Sequence, residues 1–258
     1  MSRVTFDTAP QGSDEWLASR RGRITGSMFK VARDKLKSGK LSGRAILYAR
    51  NVARERFGGK CETVFVTKSM NFGSEQEPLA ISAYESVTGS LTREAGFAAT
   101  DCGMFGVSVD RLVGGDGVVE VKTMVGSDNL FTTVVEEDLG EYMDQCLGYL
   151  LFLDRQWVDL ALWTPDLEGK GLGIAIHRIE RADHLEAIAA LDKDLREFAA
   201  VVLRFESDLR NKALTNIEVL NQLGEMEAPA AQRAETIDMS TGEILPVTLQ
   251  LAVEEIDF

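Results

Sequence analysis

The chain has 258 residues and a mass of 28.3 kDa, which is enough for one good-sized domain, or two small ones, with a substantial hydrophobic core. Its 45% hydrophobic and 27% charged residues are typical of a soluble globular protein and exclude wholesale disorder, collagen and coiled coil. The net charge of −13 would argue against a nucleic-acid partner if the charged residues were evenly distributed.

The N-terminal part of the chain is predicted to be mainly helical. Helices are predicted over residues 14–20, 43–57 and 73–88, with a short extended piece over 63–67. Ser13 and Ser42 are the candidate N-caps of the first two helices, because a serine oxygen can accept a hydrogen bond from a free N–H of the first turn. Pro78 is expected in the first turn of the third helix, and Gly89 is expected to end it.

From residue 91 onward the pattern of apolar residues becomes typical of strands. Strands are predicted over 91–99, 105–112, 118–124, 157–164 and 173–179, and helices over 141–153 and 182–209. This order predicts an α+β domain over residues 1–212, with a mixed central β-sheet flanked by helices. Residues 213–258 are predicted to be an acidic, mostly flexible C-terminal tail, with a short turn or strand over 239–245.

Charge is unevenly distributed along the chain. Residues 1–60 contain 14 Lys and Arg against 5 Asp and Glu, a net of +9, whereas residues 213–258 contain 1 against 9, a net of −8. The pattern has two interpretations. One is chance clustering on solvated faces, and the other is a cationic surface for phosphates beside carboxylates that hold metal ions.

A glycine cluster at residues 114–117 predicts a β-hairpin. If the turn is centred on Gly115, antiparallel pairing sets Asp110 opposite Glu120 and Ser108 opposite Lys122. Side chains two residues apart in a strand share a face, so these four polar side chains are expected to project from one side. The other face is expected to be buried and to consist of valines, namely Val107, Val109, Val119 and Val121.

Two carboxylates and an amine in one cluster are suited to metal-dependent chemistry. Carboxylates this close repel each other unless a proton or a cation lies between them, and oxygen ligands suit hard cations such as Mg²⁺ or Mn²⁺. A metal lowers the pKa of a bound water, and a nearby lysine can orient that water or balance charge on a phosphate. The alternative is a solvent-exposed hairpin with one cross-strand Glu–Lys pair, worth a fraction of a kcal/mol.

Four segments of the sequence form a more specific pattern. Asp110 with Glu120-Val121-Lys122 has the spacing D-(x9)-E-x-K, with Val109 where a proline is nominal. The other three are Arg20-Arg-Gly-Arg-Ile-Thr-Gly-Ser27, Phe72-Gly-Ser-Glu-Gln-Glu77 and Tyr142-Met-Asp-Gln145. In type, order and spacing they resemble the phage lambda exonuclease family of the PD-(D/E)xK nuclease superfamily. The resemblance covers roughly residues 12–205 and implies a restriction-endonuclease-like core.

The resemblance implies a metal-dependent active site. Asp110, Glu120 and the backbone carbonyl of Val121 would be metal ligands, and Lys122 would position or activate the attacking water. Glu77 would sit at the edge of the site and help the second metal or the water. A first-turn glutamate, favoured only by the helix dipole, is the alternative interpretation of Glu77.

A pocket for the 5′-phosphate of DNA is also implied by the resemblance. Its members would be Arg20, Ser27, Ser108 and Gln145, and an arginine fork with small hydroxyls suits a terminal phosphate. Tyr142 lies on the same helix face as Gln145 and would be a packed supporting residue. Without the motif, Gln145 would be taken for an ordinary surface residue.

The activity that the resemblance implies is a Mg²⁺-dependent exonuclease. Such an enzyme degrades one strand of linear double-stranded DNA from 5′ to 3′ and leaves 3′ single-stranded overhangs for recombination by strand annealing. Two Mg²⁺ ions per active site are implied, and Mn²⁺ could substitute for them. The implied partners are linear duplex DNA with 5′-phosphate ends, two further copies of the chain in a homotrimeric ring, and a single-strand annealing protein of a phage recombination or DNA repair system.

Two other functions stay open at this point: a non-catalytic DNA-end-binding or scaffold protein, and a related endonuclease. No apolar segment is long enough to cross a membrane and no signal peptide is evident, so no membrane association is expected. Three widely spaced cysteines fit a reducing environment, so we expect the protein in the cytoplasm of a bacterial or phage-infected cell.

Overall fold

The computed structural model of the chain describes residues 4–60, 68–226, 235–237 and 244–246. The chain divides into two units, residues 1–209 and 210–258. The extended piece predicted over 63–67 and much of the predicted tail lie outside the described residues, and the domain boundary at residue 212 stays a prediction. Within the described ranges, no helix combines the length and the apolar composition needed to cross a membrane.

The described residues form seven α-helices. They are α1 (Asp14–Arg20), α2 (Phe29–Ala32), α3 (Gly43–Arg56), α4 (Lys68–Thr88), α5 (Ser127–Asn129), α6 (Met143–Leu153) and α7 (Leu185–Met226). The two predicted N-caps are confirmed, since Ser13 accepts a hydrogen bond from the N–H of Trp16 and Ser42 accepts one from that of Ala45. α5 continues as a π-helix over Leu130–Val135.

Two helices extend beyond their predicted bounds. α4 begins at Lys68, so Pro78 lies in its interior, and the prediction that Pro78 belongs to the first turn is wrong. Proline has no N–H, so one hydrogen bond of the helix is missing there. α7 continues to Met226 and includes the first part of the segment predicted as a flexible tail. No glycine or proline interrupts residues 185–223, so nothing local ends the helix earlier.

The described residues also form eleven short strands. They are β1 (Val4–Phe6), β2 (Ile24–Thr25), β3 (Thr92–Glu94), β4 (Phe97–Thr100), β5 (Phe105–Ser108), β6 (Arg111–Val113), β7 (Gly117–Thr123), β8 (Trp157–Trp163), β9 (Ile174–Glu180), β10 (Glu235–Ile237) and β11 (Ile244–Pro246). The first unit holds two sheets, with strand orders β1-β4-β5-β2 and β3-β6-β7-β8-β9. β10 and β11 form a separate antiparallel pair in the second unit.

Both sheets of the first unit are mixed. β2 pairs with β5 in parallel, as does β7 with β8, and the remaining pairs are antiparallel. The predicted α+β architecture with a mixed β-sheet flanked by helices is therefore confirmed. The single central sheet is not, because the predicted strands over 91–99 and 105–112 are each divided between the two sheets as β3 and β4, and as β5 and β6.

The hairpin around Gly115 has the predicted register over part of its length. Arg111 lies opposite Val119, and Val113 lies opposite Gly117. The ladder ends at Arg111, because the chain crosses to the other sheet between Ser108 and Arg111. The predicted strand pairs Asp110–Glu120 and Ser108–Lys122 are therefore wrong as ladder pairs.

The four valines of the hairpin face two different cores. Val107 and Val109 belong to the larger hydrophobic core, whereas Val119 and Val121 pack with α4 in a smaller one. The prediction of one common valine face is therefore wrong. Since β7 has packed neighbours on both faces, Glu120 does not point into solvent and its side chain is only 3% exposed.

Candidate active site

Asp110 lies in the link between β5 and β6. Its Oδ2 accepts a hydrogen bond of 2.7 Å from the backbone N–H of Val121. That N–H lies two residues beyond the last pair of the β6–β7 ladder, so the carboxylate takes the place of a main-chain acceptor. The pKa of Asp110 is raised well above its ordinary value, first by burial and then by the negative charges of Glu120 and Glu77.

Glu120 is bound on both carboxylate oxygens. Its Oε1 accepts hydrogen bonds of 2.6 Å from Lys122 Nζ and 2.7 Å from Gln145 Nε2. Its Oε2 accepts one of 2.6 Å from the hydroxyl of Tyr149. Gln145 and Tyr149 both lie on α6, which contacts β5 and β8. These donors satisfy a buried carboxylate that would otherwise be costly to remove from water.

Lys122 projects from the same face of β7 as Glu120. Burial by itself lowers the pKa of Lys122, but the carboxylates of Glu120 and Asp110 outweigh it, and the net effect is a raised pKa. The side chain is therefore an ammonium at neutral pH. Its Nζ lies 5.6 Å from the ring centroid of Tyr142, and that ring is partly buried against the larger core.

Glu77 reaches this cluster from α4. Its Oε1 lies 3.2 Å from a guanidinium nitrogen of Arg111, the residue after Asp110. Burial raises the pKa of Glu77 and the charge of Glu120 adds to the rise, while Arg111 opposes both. Glu77 lies in the interior of α4, so the alternative of a first-turn glutamate favoured by the helix dipole is wrong.

Arg20 and Ser108 meet beside the carboxylates. A guanidinium nitrogen of Arg20 donates a hydrogen bond of 3.2 Å to Ser108 Oγ. The guanidinium carbon lies 4.3 Å from the ring centroid of Trp16 and 5.6 Å from that of Phe97. The two rings restrict the guanidinium plane, which presents its donors toward the end of β5.

Ser27 is less closely connected to this pair than predicted. It is exposed in the 3₁₀ turn Gly26–Met28 that follows β2. Because Thr25 pairs in parallel with Gly106, the turn after β2 lies at the same end of the sheet as Ser108 at the end of β5. In the described part of the chain, no hydrogen bond joins Ser27 to Arg20 or Ser108.

Gln145 is placed differently from its predicted position in the phosphate pocket. Its amide binds Glu120 and the hydroxyl of Tyr149, and it reaches Ser108 only through Tyr149, which contacts the Ser108 carbonyl. Gln145 therefore belongs with the carboxylates and is not an ordinary surface residue. Tyr149 and Arg111 were not predicted from the sequence as members of the site. Their only signals were the i, i+4 spacing of Tyr149 from Gln145 and the adjacency of Arg111 to Asp110.

The chemistry of this donor set fits a hard divalent cation. The three carboxylates of Asp110, Glu120 and Glu77 are accompanied by two cationic side chains, Lys122 and Arg111, which leaves one negative charge in excess. Among the described residues, no group of three or more His, Cys, Asp and Glu side chains is arranged to hold a metal ion. An ion here would take carboxylate oxygens, with further oxygen ligands from backbone carbonyls or water.

Comparison with known proteins places this site in a recognised domain. The family model for the YqaJ-like viral recombinase domain matches residues 15–155, which is more than half of the chain and includes every predicted site residue. No curated protein sequence matches the chain.

Solved structures of exonucleases have the same fold. The alkaline exonuclease LHK-Exo from Laribacter hongkongensis is 29% identical, with a TM-score of 0.68 over 79% of this chain and 99% of that chain. Its complex with dAMP is 28% identical, with a TM-score of 0.69 and the same coverage. A phage-related exonuclease from Haemophilus somnus 129PT, 17% identical, has a TM-score of 0.57 over 74% and 96% of the two chains, and shows the fold alone. The predicted PD-(D/E)xK fold is thereby confirmed.

Proposed function

Because this chain belongs to the YqaJ-like viral recombinase domain family, and is similar to an alkaline exonuclease, we propose that it is a Mg²⁺-dependent exonuclease of linear double-stranded DNA. The observation that carries the proposal is the cluster of Asp110, Glu120 and Lys122. These residues have the sequence spacing of the nuclease signature, and their side chains lie together in the structure. The similar enzyme LHK-Exo has been solved with dAMP, a nucleotide of the kind that an exonuclease releases from DNA.

The contacts of each side chain support a role in hydrolysis. Asp110 and Glu120 would hold two Mg²⁺ ions, which Mn²⁺ could replace, and the Val121 carbonyl would be a further ligand. When bound, such metals lower the pKa of a water and stabilise negative charge on the phosphodiester. Lys122, as an ammonium, orients the attacking water and balances charge on the phosphate. Glu77 helps to hold the second metal or the water.

The polarity of digestion follows from an anchor for the 5′-phosphate. We assign that anchor to Arg20, Ser27 and Ser108, because a guanidinium fork with hydroxyl groups matches a terminal phosphate. Gln145 contributes by holding Glu120. An anchored 5′ end would place the first phosphodiester of that strand beside the carboxylates of Asp110 and Glu120, which would hold the metals. Digestion then proceeds from 5′ to 3′ and leaves a 3′ overhang, which a single-strand annealing protein can use for recombination.

The basic N-terminal segment supports contact with duplex DNA. Arg21, Lys37, Lys40 and Arg44 are all exposed. In a homotrimeric ring with this segment lining the channel, DNA meets a positive surface although the whole chain is acidic. A ring also keeps the enzyme on its substrate between cuts. Light scattering is expected to give a mass close to three times 28.3 kDa, and the mass of a single chain would contradict the ring.

The test is digestion of linear duplex DNA carrying one 5′-phosphate, with Mg²⁺ or with EDTA. We expect Mg²⁺-dependent loss of the phosphorylated strand only, and no digestion by Lys122→Ala. The matched control is Lys170→Ala, an exposed lysine in the turn after β8, which should digest DNA like the wild type.

Closed circular duplex DNA separates the remaining possibilities. An end-dependent exonuclease leaves it intact, whereas cutting of the circle would favour the related endonuclease. Binding of DNA ends without digestion, or equal digestion by Lys122→Ala and the wild type, would contradict the assigned catalytic site. The first of these results would favour the DNA-end-binding or scaffold protein.

A further inference from the structure

Tyr149 connects the two halves of the candidate active site. Its side chain is fully buried, and its hydroxyl lies 2.6 Å from Glu120 Oε2 and 2.8 Å from the backbone carbonyl of Ser108. The same hydroxyl accepts a hydrogen bond of 2.5 Å from Gln145 Nε2. A phenol has one proton, so it can donate fully to only one of the two acceptors at a time.

The two acceptors belong to sites with different proposed ligands. Glu120 is one of the two carboxylates assigned to the metals. Ser108 belongs to the proposed phosphate pocket, and its Oγ accepts a hydrogen bond of 3.2 Å from Arg20. A path therefore runs from Glu120 through Tyr149 to the backbone carbonyl of Ser108, and from the Oγ of the same residue to Arg20; it consists of three hydrogen bonds and the covalent bonds within Ser108. This path has no solvent-exposed step at Tyr149, because the residue is 0% exposed.

We propose that Tyr149 is a positioning residue that couples the metal carboxylate Glu120 to the 5′-phosphate pocket at Ser108. The inference rests on the proposed exonuclease function. Its hydroxyl holds the Glu120 carboxylate in place when it donates to Oε2, and holds the end of β5 in place when it donates to the Ser108 carbonyl. Because one proton serves both acceptors, a change in occupancy of one site changes the hydrogen bonding of the other.

The structure provides a matched control for this proposal. Tyr84 is also fully buried and also donates to a buried carboxylate, with 2.7 Å between its hydroxyl and Asp159 Oδ2. Tyr84 packs in the smaller core on the opposite face of the sheet, away from Glu120. Tyr149→Phe and Tyr84→Phe therefore each remove one hydroxyl from a buried tyrosine–carboxylate pair, and only the first pair lies in the candidate site.

Three measurements on the full chain test the proposal. They are the turnover rate on linear duplex DNA, the Mn²⁺ affinity by calorimetry, and the ratio of digestion rates for 5′-phosphate and 5′-hydroxyl ends. For Tyr149→Phe we expect turnover and Mn²⁺ affinity to fall roughly 10- to 100-fold, as for other partners of metal ligands. The phosphate preference should fall roughly 3- to 10-fold, as for loss of one buried hydrogen bond. Tyr84→Phe should lose thermal stability and keep all three values.

Failure of this inference can be told apart from failure of the proposed function. Wild-type protein that neither digests DNA with Mg²⁺ nor binds Mn²⁺ would overturn both. Wild-type protein that does both, with a Tyr149→Phe variant that keeps either its Mn²⁺ affinity or its phosphate preference, would overturn the coupling alone. A loss of stability without change in these two values would assign Tyr149 a structural role only.

A second measurement leaves the tyrosine in place, in case the variant does not fold. The chain has four tyrosines, so labelling with 3-fluorotyrosine gives four ¹⁹F signals, and Phe variants at the other three positions assign that of Tyr149. We expect this signal to shift when Mg²⁺ is added without DNA, and also when a 5′-phosphorylated duplex is added in EDTA. A 5′-hydroxyl duplex is the control. A signal that responds to only one of the two additions would overturn the coupling.

Discussion

The N–H of Gly22 donates a hydrogen bond of 2.9 Å to Glu55 Oε2, which ties the loop after Arg20 to the last turn of α3. The carbonyl of Gly22 accepts from Arg56, whose guanidinium also binds the buried carboxylate of Glu206 on α7 at 2.7 Å. Gly22 has a φ of +69°, which favours glycine. The position of Arg20 at Ser108 therefore depends on contacts with two helices far away in the sequence.

Gly22→Ala is expected to disturb this loop. The new Cβ would lie 2.9 Å from Arg56 Cγ in a backbone conformation that L residues rarely adopt, so we expect a loss of about 1–2 kcal/mol of unfolding free energy. We also expect a lower preference for 5′-phosphate over 5′-hydroxyl ends. Gly39→Ala is the control, with a φ of +78° and no atom within 4 Å of the new Cβ. Equal end preference in the two variants would contradict the role of the loop.

Arg20→Ala should weaken the recognition of a 5′-phosphate without affecting metal binding. Loss of a charge-assisted hydrogen bond corresponds to roughly a 10- to 100-fold lower ratio of digestion rates for 5′-phosphate and 5′-hydroxyl ends. Mn²⁺ affinity, measured by calorimetry, should be unchanged, since Arg20 contacts Ser108 and not the carboxylates. Arg21→Ala is the matched control, because it removes an adjacent exposed charge of the DNA-facing segment and should leave the ratio for the two kinds of end unchanged. An unchanged ratio in Arg20→Ala would contradict the assignment of Arg20 to the phosphate anchor.

Asp110→Asn should abolish digestion without destabilising the metal-free protein. An amide oxygen can still accept the hydrogen bond from Val121, while one of three mutually repelling carboxylates loses its charge. We expect the free energy of unfolding by urea in EDTA to stay equal or to rise by about 1 kcal/mol. Asp116→Asn, in the exposed hairpin turn, should change neither activity nor stability. A large loss of stability in Asp110→Asn would mean that Asp110 is mainly structural.

Asp194 should contribute stability that depends on pH. It lies on α7 and binds Arg33 at 2.8 Å and Lys35 at 2.7 Å. Burial alone raises the pKa of Asp194, but Lys35 and Arg33 outweigh it, so its pKa in the folded protein is lowered from 3.8. A carboxyl whose pKa is lower in the folded state stabilises the fold fully at pH values above its pKa in the unfolded state. This contribution is lost as the pH falls through the pKa of the folded state.

The corresponding variant is Asp194→Asn, measured by urea unfolding at pH 7 and near pH 3. We expect a loss of about 1 kcal/mol at pH 7 and a smaller difference from the wild type at the acidic pH. Asp192→Asn, which removes an exposed i, i+4 pair with Arg196, should cost only a few tenths of a kcal/mol at pH 7. A difference that does not shrink on acidification would contradict an electrostatic origin.

Much of the helical structure and the spacing of the candidate catalytic residues could be predicted from the sequence. The N-caps Ser13 and Ser42, the β6–β7 register and the placement of Glu120 and Lys122 on one face each depend on residues within a few positions of one another. Local hydrogen bonds and strand periodicity are enough to determine them. The error at Ser108 arose because β5 pairs with strands outside the hairpin. The error at Pro78 arose because the helix begins earlier than the proline suggested.

What the sequence by itself determined is the signature Asp110, Glu120 and Lys122, and the turn that brings the last two near the first. Only the tertiary structure decided that Ser108 and Asp110 leave the hairpin ladder, because β5 pairs with β2, about 80 residues earlier in the chain. It also decided that Glu120 is buried against Gln145 and Tyr149 of α6. The physical reason is that a strand's choice of sheet, and the packing of a helix on a sheet, depend on surfaces that meet only when the whole chain has folded.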